Sequence, residues 1–383
     1  MHMADALLSP VVGGSMWAVT AGLIGYSAKK VKEEADDRKV PLMGVLGAFI
    51  FAAQMINFSI PATGSSGHLG GGMILAILLG PSAAFLVMAS VLTVQALFFA
   101  DGGLLALGCN IFNLGFFPCF VVLPLIYRKI VGADPAPRKI MTGSLLSAVV
   151  ALQLGAFGVV LETVLSGISE LPFRTFVLLM QPIHLAIGIV EGVVTAAVVT
   201  FVWKARPEIL RAAQRVVPLG NVSMKKVMVG LLFAALVAGG ALSWFASAHP
   251  DGLEWAMFKT SGHEELESRE AVHASLADIQ EKTAFLPDYG FNPPSPATNG
   301  GEASARFPLR RSERRDSTGV SPWSFKKSEP ATVEPAAGAK TSWPAVDAGT
   351  SVSGLVGGTL TLVLAILIGW GIKRSRKPWA CAR

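Results

Sequence analysis

Long apolar stretches separated by short polar or charged segments make up most of the first 250 residues. Within these stretches the apolar residues follow one another without alternating with polar ones, which predicts α-helices and not the strands of a membrane barrel. Several stretches reach the roughly 20 residues that a helix needs to cross a bilayer. We therefore predict an all-α, polytopic membrane protein with a seven-helix bundle followed by two C-terminal transmembrane helices. The nine predicted spans lie near residues 10–28, 41–58, 68–80, 81–99, 104–127, 140–164, 174–203, 226–247 and 354–372.

The composition agrees with lipid as the surrounding solvent. Apolar residues make up 52% of the chain and charged residues only 15%, which is too little charge to cover a soluble core of this size. The net charge of +6 is typical of some nucleic-acid-binding proteins, but the basic residues cluster in short loops between apolar spans. Orientation in a membrane explains that clustering, so nucleic acid is not among the expected partners.

The positions of the basic residues predict the orientation of the chain. If residue 1 lies outside, the inner loops at 29–39, 128–139, 204–225 with Lys226, and 373–383 hold 20 of the 32 Lys and Arg residues. The short span at 68–80 is the weak point, and without it the basic loop at 128–139 would lie outside. We therefore expect a multi-pass protein of the inner (plasma) membrane with an extracytoplasmic N-terminus and a cytoplasmic C-terminus.

Changes in composition suggest three regions. Residues 1–203 form the seven-span unit, 204–225 a basic cytoplasmic linker, and 226–383 a two-span unit. The extracytoplasmic segment 248–353 within the last region is expected to be largely disordered. Its beginning, 250–285, has the charge pattern of a helix, whereas 287–344 is rich in Pro, Ser, Gly and Arg.

The first two residues, Met1 and His2, form a chelating pair. The sequence MHMADALLSP lacks the basic start of a signal peptide, and a bulky second residue favours retention of Met1 with a free amine. The amine, the deprotonated His2 amide and the His2 imidazole together place three nitrogens roughly in a plane, an arrangement that suits Ni(II) or Cu(II). Taken alone, a Met-His start is more often a coincidence than a metal site.

A second histidine, His68, lies in the glycine-rich sequence GSSGHLGGG and supplies a candidate fourth nitrogen. Glycines on both sides let the backbone approach closely and adopt positive φ. An isolated histidine at the end of a membrane helix is also often a structural hydrogen-bonding residue. Other polar residues interrupt the apolar spans and are functional candidates for that reason, namely Gln95, Asn110, Asn113, His184 and Glu191.

Four stretches of the chain resemble the signature segments of a known transporter family. They are MHMADALLSP, MINFSIPATGSSGHLGGG, QALFFADGGLLALGCNIFNLG and HLAIGIVEGVVTA. They resemble the nickel/cobalt substrate-capture (S) subunits of energy-coupling-factor (ECF) transporters, the NikM/CbiM family, over residues 1–203. The HPDGLEWA segment and its two flanking spans resemble the small N component of the same transporters, fused here to the S subunit.

The resemblance implies a metal site and partners. Met1, His2 and His68 would bind the metal, and eight polar residues would lie around it, mostly as structural support: Asn57, Ser65, Ser66, Gln95, Asp101, Asn110, Asn113 and His184. For each of these eight taken singly, a hydrogen bond between helices is an equally good explanation. The implied partners are a membrane coupling (T) subunit and two cytoplasmic ATPase subunits. The implied substrate is Ni(II), with Co(II) import for cobalamin synthesis as the alternative, and no organic cofactor is expected.

Other functions remain open at this point. The chain has no GxxxxGK[ST] sequence, so a transporter subunit without its own ATPase motif is expected, and not an enzyme. A secondary transporter would need charged residues along a path through the membrane, where only Glu191 lies deep. An intramembrane metalloenzyme would need an open coordination position and a base. A weak metal-gathering surface around His249, His263 and His273 is less expected than a solvated charged helix.

Overall fold

The computed structural model describes residues 2–34, 36–132, 134–168, 171–215, 217–219, 223–261, 271–291 and 344–375. These residues are almost entirely helical. The helices are α1 (Pro10–Glu34), α2 (Lys39–Gln54), α3 (Gly72–Leu79), α4 (Pro81–Phe99), α5 (Leu107–Val131), α6 (Pro137–Ser166), α7 (Phe173–Ala205), α8 (Pro207–Arg215), α9 (Lys225–Gly240), α10 (Gly252–Ser261), α11 (Ala271–Thr283) and α12 (Ala348–Arg374). Single 3₁₀ turns occur at Asp5–Leu7, Leu242–Phe245 and Pro287–Tyr289. The one sheet among the described residues is an antiparallel hairpin of β1 (Phe58–Ile60) and β2 (Ser65–Gly67).

A helix lies at each of the nine predicted spans, although three of these helices are shorter than a full span. Among the described residues, six helices are long and apolar enough to cross a membrane: α1, α4, α5, α6, α7 and α12. The other three predicted spans are shorter helices, with 16 residues in α2, 8 in α3 and 16 in α9. The all-α, multi-pass class is confirmed.

Helix α3 is short because glycines limit it at both ends. Gly71 before it and Gly80 after it have φ of 75° and 81°, a conformation that ends a regular helix and that side chains with a Cβ rarely adopt. Eight residues rise only about 12 Å, less than half of a hydrocarbon core of about 30 Å. Helix α8 contacts α3, and its Ile209 and Leu210 are buried. The predicted linker 204–225 therefore contains a helix that packs on the bundle.

Helices α3 and α4 together form a hairpin within the bundle. The chain enters α3 just after His68, reverses at Gly80 and leaves α4 at Phe99, two residues before Asp101. Because His2 contacts both His68 and Asp101, the beginning of α3 and the end of α4 lie at the same end of the bundle. The charge pattern requires an odd number of helices between residues 68 and 127, and the structure has three there, α3, α4 and α5.

The two C-terminal membrane helices pack directly on α2. Helices α9 and α12 contact α2 and each other, and α2 is buried along nearly its whole length. Glycines allow the close approach: a Cβ at Gly354 would lie 2.4 Å from the Gly239 carbonyl oxygen, and one at Gly357 would overlap the Phe51 ring. Residues 292–343, which include most of the segment expected to be disordered, lie outside the described residues.

Candidate metal centre

Two imidazoles that are far apart in the sequence stack on each other at one end of the bundle. The ring centres of His2 and His68 lie 4.9 Å apart, and the ring planes differ by only 5°. Both side chains are largely buried: that of His2 is 7% exposed, and His68 as a residue is 8% exposed. Met1, the other predicted ligand residue, lies outside the described residues. The structure thus brings the two predicted histidines together.

A carboxylate orients the His2 ring. His2 Nδ1 lies 3.0 Å from Asp101 Oδ1, and the other oxygen of Asp101 accepts a 2.5 Å hydrogen bond from the Tyr289 hydroxyl. Burial alone raises the pKa of Asp101, but the neighbouring His2 and the Tyr289 hydroxyl outweigh it and hold that pKa well below its usual range. Asp101 therefore carries a negative charge beside His2. His2 Nε2 is buried and has no hydrogen-bond partner among the described residues.

The backbone after His2 is anchored by hydrogen bonds and by burial. The Asn110 side chain binds Met3 at both its backbone groups, accepting from the amide N–H at 2.8 Å and donating to the carbonyl at 3.2 Å. The Gly103 N–H donates to the same carbonyl, and Asp5 accepts from the Ala106 N–H at 2.9 Å. Met3 is fully buried. These contacts hold the N-terminal segment against the loop between α4 and α5.

The β1–β2 hairpin places His68 directly after its second strand. Ser65 and Ser66 pair with Ile60 and Ser59 across the ladder, so the chain reaches His68 from an ordered strand. His68 Nδ1 lies 3.1 Å from the carbonyl oxygen of Leu69. Burial lowers the pKa of His68 to about 3, so its ring is neutral near pH 7. Neutral imidazole is the form that binds metals.

The two peptide groups that follow Leu69 are bound from both sides. Glu191 on α7 accepts from the N–H groups of Gly70 at 2.7 Å and Gly71 at 3.1 Å. Gln54 at the end of α2 donates to the Gly70 carbonyl at 2.8 Å, and Gln95 on α4 donates to Gln54 at 2.9 Å. Gln95, predicted to lie near the metal, thus acts on the His68 loop through Gln54.

The C-terminal unit also reaches this end of the bundle. Ser66 in the hairpin donates from its backbone N–H to the Pro250 carbonyl at 2.8 Å, and it forms a parallel bridge with Asp251. Gln280 on α11 donates to the Gly102 carbonyl at 2.8 Å, next to Asp101. Together with Tyr289, these residues come from the part of the chain for which sequence reasoning proposed no role at the site. The PDGLE segment, which contains Asp251, was the feature of the sequence that could have indicated this contact.

A small cavity of about 10 Å³, room for one water molecule, lies beside His68. His184 and Asp251 also line it. His184 Nδ1 is 2.8 Å from the Met180 carbonyl in its own helix, a contact that fixes the ring. The structure therefore places His184 near His68, with one nitrogen engaged by the backbone.

The remaining predicted site residues lie farther from the imidazole pair or have other partners. Ser65 shares a 2.8 Å hydrogen bond with Thr63, and Asn57 accepts through its backbone carbonyl from the Ser247 N–H at 2.7 Å. Asn113 donates to Glu162 on α6 at 2.7 Å and is not brought to His2. Among the histidines of the alternative gathering surface, His263 lies outside the described residues, and His273 is buried with its Nε2 2.9 Å from the Leu8 carbonyl.

Within the described ranges, no three His, Cys, Asp or Glu side chains come together in an arrangement that would hold a metal. A site made of two imidazoles and main-chain nitrogens would not form such a cluster.

Comparison with known proteins shows which family the chain belongs to. Residues 2–209 match CbiM, the cobalt uptake substrate-specific transmembrane region, and residues 225–374 match the PDGLE domain. The chain is 30% identical over 289 residues to a putative fused nickel transport protein NikMN of Archaeoglobus fulgidus, covering 76% of this chain and 88% of that protein. It is 37% identical over 212 residues to a putative metal transport protein of Haloquadratum walsbyi, covering 55% of this chain and 93% of that protein.

A solved structure gives a further match. The crystal structure of a truncated transition metal transporter is 32% identical, covers 54% of this chain and 99% of that chain, and has a TM-score of 0.48. The two family matches together cover most of the chain. The chain therefore belongs to the CbiM/NikM family, fused to a C-terminal PDGLE domain, and is a multi-pass membrane component of cobalt or nickel transport, a transporter and not an enzyme.

Proposed function

We propose that this chain is the metal-capturing membrane subunit of an ATP-driven ECF importer and that its substrate is Ni(II). Four nitrogens bind the ion in a square plane: the Met1 amine, the His2 amide, the His2 imidazole and the His68 imidazole. The site faces the outside of the plasma membrane, and the C-terminus lies in the cytoplasm.

The observation that carries this proposal is the contact between His2 and His68. With metal–nitrogen bonds of about 2 Å, two imidazoles at neighbouring corners of a square have ring centres roughly 4–5 Å apart. The observed separation of 4.9 Å is of that size. Because neighbouring corners present their nitrogens at a right angle, one ring turns out of the parallel stack when the metal binds.

The chelate uses Nδ1 of His2, since only that nitrogen closes a six-membered ring with the His2 amide. In the structure Nδ1 faces Asp101 at 3.0 Å. Metal capture therefore exchanges the Asp101 contact at Nδ1 for the metal, while the nearby carboxylate stabilises the positive charge of the complex. Asp101 keeps the ring inside the site before the metal arrives.

Nickel is the substrate that this donor set favours. A square plane of nitrogens suits Ni(II) and Cu(II) by geometry, whereas Co(II) is not among the ions that this geometry typically selects. Fusion to a PDGLE domain is in line with nickel, since the similar A. fulgidus protein is named a fused nickel transport protein. Because binding displaces protons from the amine and the amide, affinity falls as the pH is lowered.

Energy comes from partners: a T subunit in the membrane and two ATPase subunits in the cytoplasm. The sequence offers two small-residue faces for the T subunit, and the structure distinguishes them. Gly44 and Gly47 on α2 pack against Ile366 and Thr361 of α12, so they serve internal packing. Gly22 and Gly25 on α1 are exposed with nothing near their Cβ positions, which leaves α1 as the proposed contact helix.

Metal analysis of the purified full-length protein tests the proposal. We expect one nickel per chain, selection of Ni(II) over Co(II), and the roughly yellow absorption of a square-planar centre. An octahedral spectrum, or nickel retained equally by a His2→Gln variant, would contradict the chelate. In cells, nickel uptake that persists without co-expressed ATPase subunits would favour a secondary transporter instead.

The orientation has its own test. Single cysteines at Asp134 and Ile168, in a variant that lacks Cys109, Cys119 and Cys381, report on opposite ends of α6. With a membrane-impermeant thiol reagent on spheroplasts, position 168 should label and position 134 should not. The reverse pattern would place the His2–His68 end of the bundle in the cytoplasm.

A further inference from the structure

Glu191 is a carboxylate in the interior of a membrane bundle, and the proposed chelate does not use it. The residue is 2% exposed on α7, and both of its oxygens bind successive peptide N–H groups, those of Gly70 and Gly71. A carboxylate at this depth is costly unless its partners compensate for lost water. Here the compensation comes from the loop that carries His68.

The same loop is bound on its other side. The Gly70 carbonyl accepts from Gln54 at 2.8 Å, and the Gln54 carbonyl oxygen accepts from Gln95 at 2.9 Å. Glu191, Gln54 and Gln95 belong to α7, α2 and α4. Three helices therefore fix the peptide groups two and three residues after His68.

The glycines leave the loop little freedom to shift. A Cβ at Gly70 would lie 3.1 Å from the Glu191 carboxylate and 3.2 Å from the side chains of Leu114 and Leu152. Gly71 has φ of 75°, and the next residue begins α3. On its other side, His68 follows the β2 strand directly. The His68 backbone is thus held between a strand and a bound pair of peptide groups.

We propose that Glu191 and Gln54 are positioning residues for metal capture, which set the place of the His68 imidazole by binding the backbone of its loop. This inference rests on the proposed function, because it requires His68 to be a ligand. Neither residue touches the metal. Substituting Glu191 or Gln54 should change metal affinity only by changing the position of the His68 imidazole.

The test measures Ni(II) affinity by calorimetry on the full-length protein in detergent, together with the visible nickel spectrum and the thermal unfolding of the metal-free protein. Glu191→Gln replaces one acceptor oxygen by an amide that cannot accept from a peptide N–H. We expect about a tenfold loss of affinity and a changed spectrum, the size typical of losing a residue that orients a ligand. In a His68→Ala background, Glu191→Gln should cause no further loss.

Glu162→Gln is the matched control. Glu162 is also a buried carboxylate on a neighbouring helix, but it accepts from Asn113 and does not contact the loop. This variant should leave nickel affinity and spectrum unchanged, even where it lowers thermal stability. Gln54→Met provides a second route, since it removes the donor to Gly70 and leaves Glu191 in place. It also removes the acceptor for Gln95, and we expect a loss of affinity of about fivefold.

The outcomes separate the inference from the proposed function. Wild-type affinity in Glu191→Gln, or an equal loss with and without His68, would show that Glu191 only stabilises the fold. If Glu191→Gln does not fold, Gln54→Met decides, and unchanged affinity there would overturn the inference. Full affinity in both His2→Gln and His68→Ala would instead refute the proposed chelate.

Discussion

The two stacked imidazoles are held in opposite ways. His2 is oriented by a charged side chain, Asp101, which is itself bound by Tyr289 from the C-terminal unit. His68 contacts its neighbouring backbone carbonyl, and its loop is fixed through peptide groups by Glu191 and Gln54. The His2 ring thus has a charged side-chain partner, whereas the position of His68 depends mainly on backbone hydrogen bonds of its loop.

The difference follows from where each histidine lies in the chain. The segment before α1 lies outside the long helices, so ordering it costs conformational entropy that strong, charge-assisted contacts offset. A loop between a strand and a helix is already restricted at both ends, and neutral backbone contacts are enough to complete it. The contrast predicts that the His2 side is sensitive to charge and to the C-terminal unit, and the His68 side to packing inside the bundle.

The largest expected effect comes from burying the chain end in a longer peptide. A five-residue extension ahead of Met1 turns the amine into a peptide amide and removes the five-membered chelate ring that the amine closes with the His2 amide. Nickel affinity should fall by more than about 100-fold, since the amine donor is lost and only the six-membered ring within His2 remains. Calorimetry measures this, with the same extension placed after Arg383 as the control. Equal affinity in the two extended proteins would remove the N-terminus from the site.

Replacing His68 should have the next largest effect. His68→Ala leaves the three-nitrogen chelate and lets water fill the fourth corner, so affinity should fall roughly 10- to 100-fold as the nitrogen donor is replaced by a weaker one. The absorption spectrum of bound Ni(II) should change at the same time. His249→Ala, which removes an exposed imidazole nearby, is the control and should bind like the wild type. A His68→Ala protein with the wild-type spectrum would require another fourth ligand.

Neutralising the group that holds His2 should have a smaller effect. Asp101→Asn keeps the shape of the side chain but removes its charge, and affinity should fall about tenfold, because the carboxylate that stabilises the positive charge of the complex is lost. Higher salt should weaken nickel binding less in this variant, because part of the electrostatic attraction is gone. Asp278→Asn, which neutralises an exposed carboxylate, is the control. An unchanged affinity would show that the ring position of His2 is set by the backbone, as that of His68 is.

The smallest effect should come from the C-terminal unit. Tyr289→Phe removes only the hydroxyl that donates to Asp101, and affinity should fall about threefold, the worth of one ordinary hydrogen bond. Burial and the neighbouring Asp101 raise the pKa of Tyr289 well above its usual value, so the wild-type hydroxyl is a protonated donor near neutral pH. Tyr26→Phe on α1 is the control. In an Asp101→Ala background Tyr289→Phe should have no effect, and an equal loss there would mean that Tyr289 acts on the fold alone.

Local pattern was enough to predict the class of protein and the position of its helices. Hydropathy over about 20 residues reports whether a segment lies in lipid, and all nine predicted positions carry helix. The lengths of the helices were less predictable than their positions. Helix α3 is short because of Gly71 and Gly80, and α8 packs on it, a contact between segments about 130 residues apart in the sequence.

For the candidate site, too, some features follow from the sequence and others only from the tertiary structure. The sequence by itself predicted the donors that we propose, the Met1–His2 pair and His68 among glycines, since chelation by the groups of adjacent residues is a local property. Only the tertiary structure decided what surrounds them. Asp101, bound by Tyr289, contacts the His2 ring, and Glu191 and Gln54 bind the backbone of the His68 loop. Asn113 donates to Glu162 instead. Such contacts depend on how helices distant in sequence rotate and pack, and no pattern along a single segment records that.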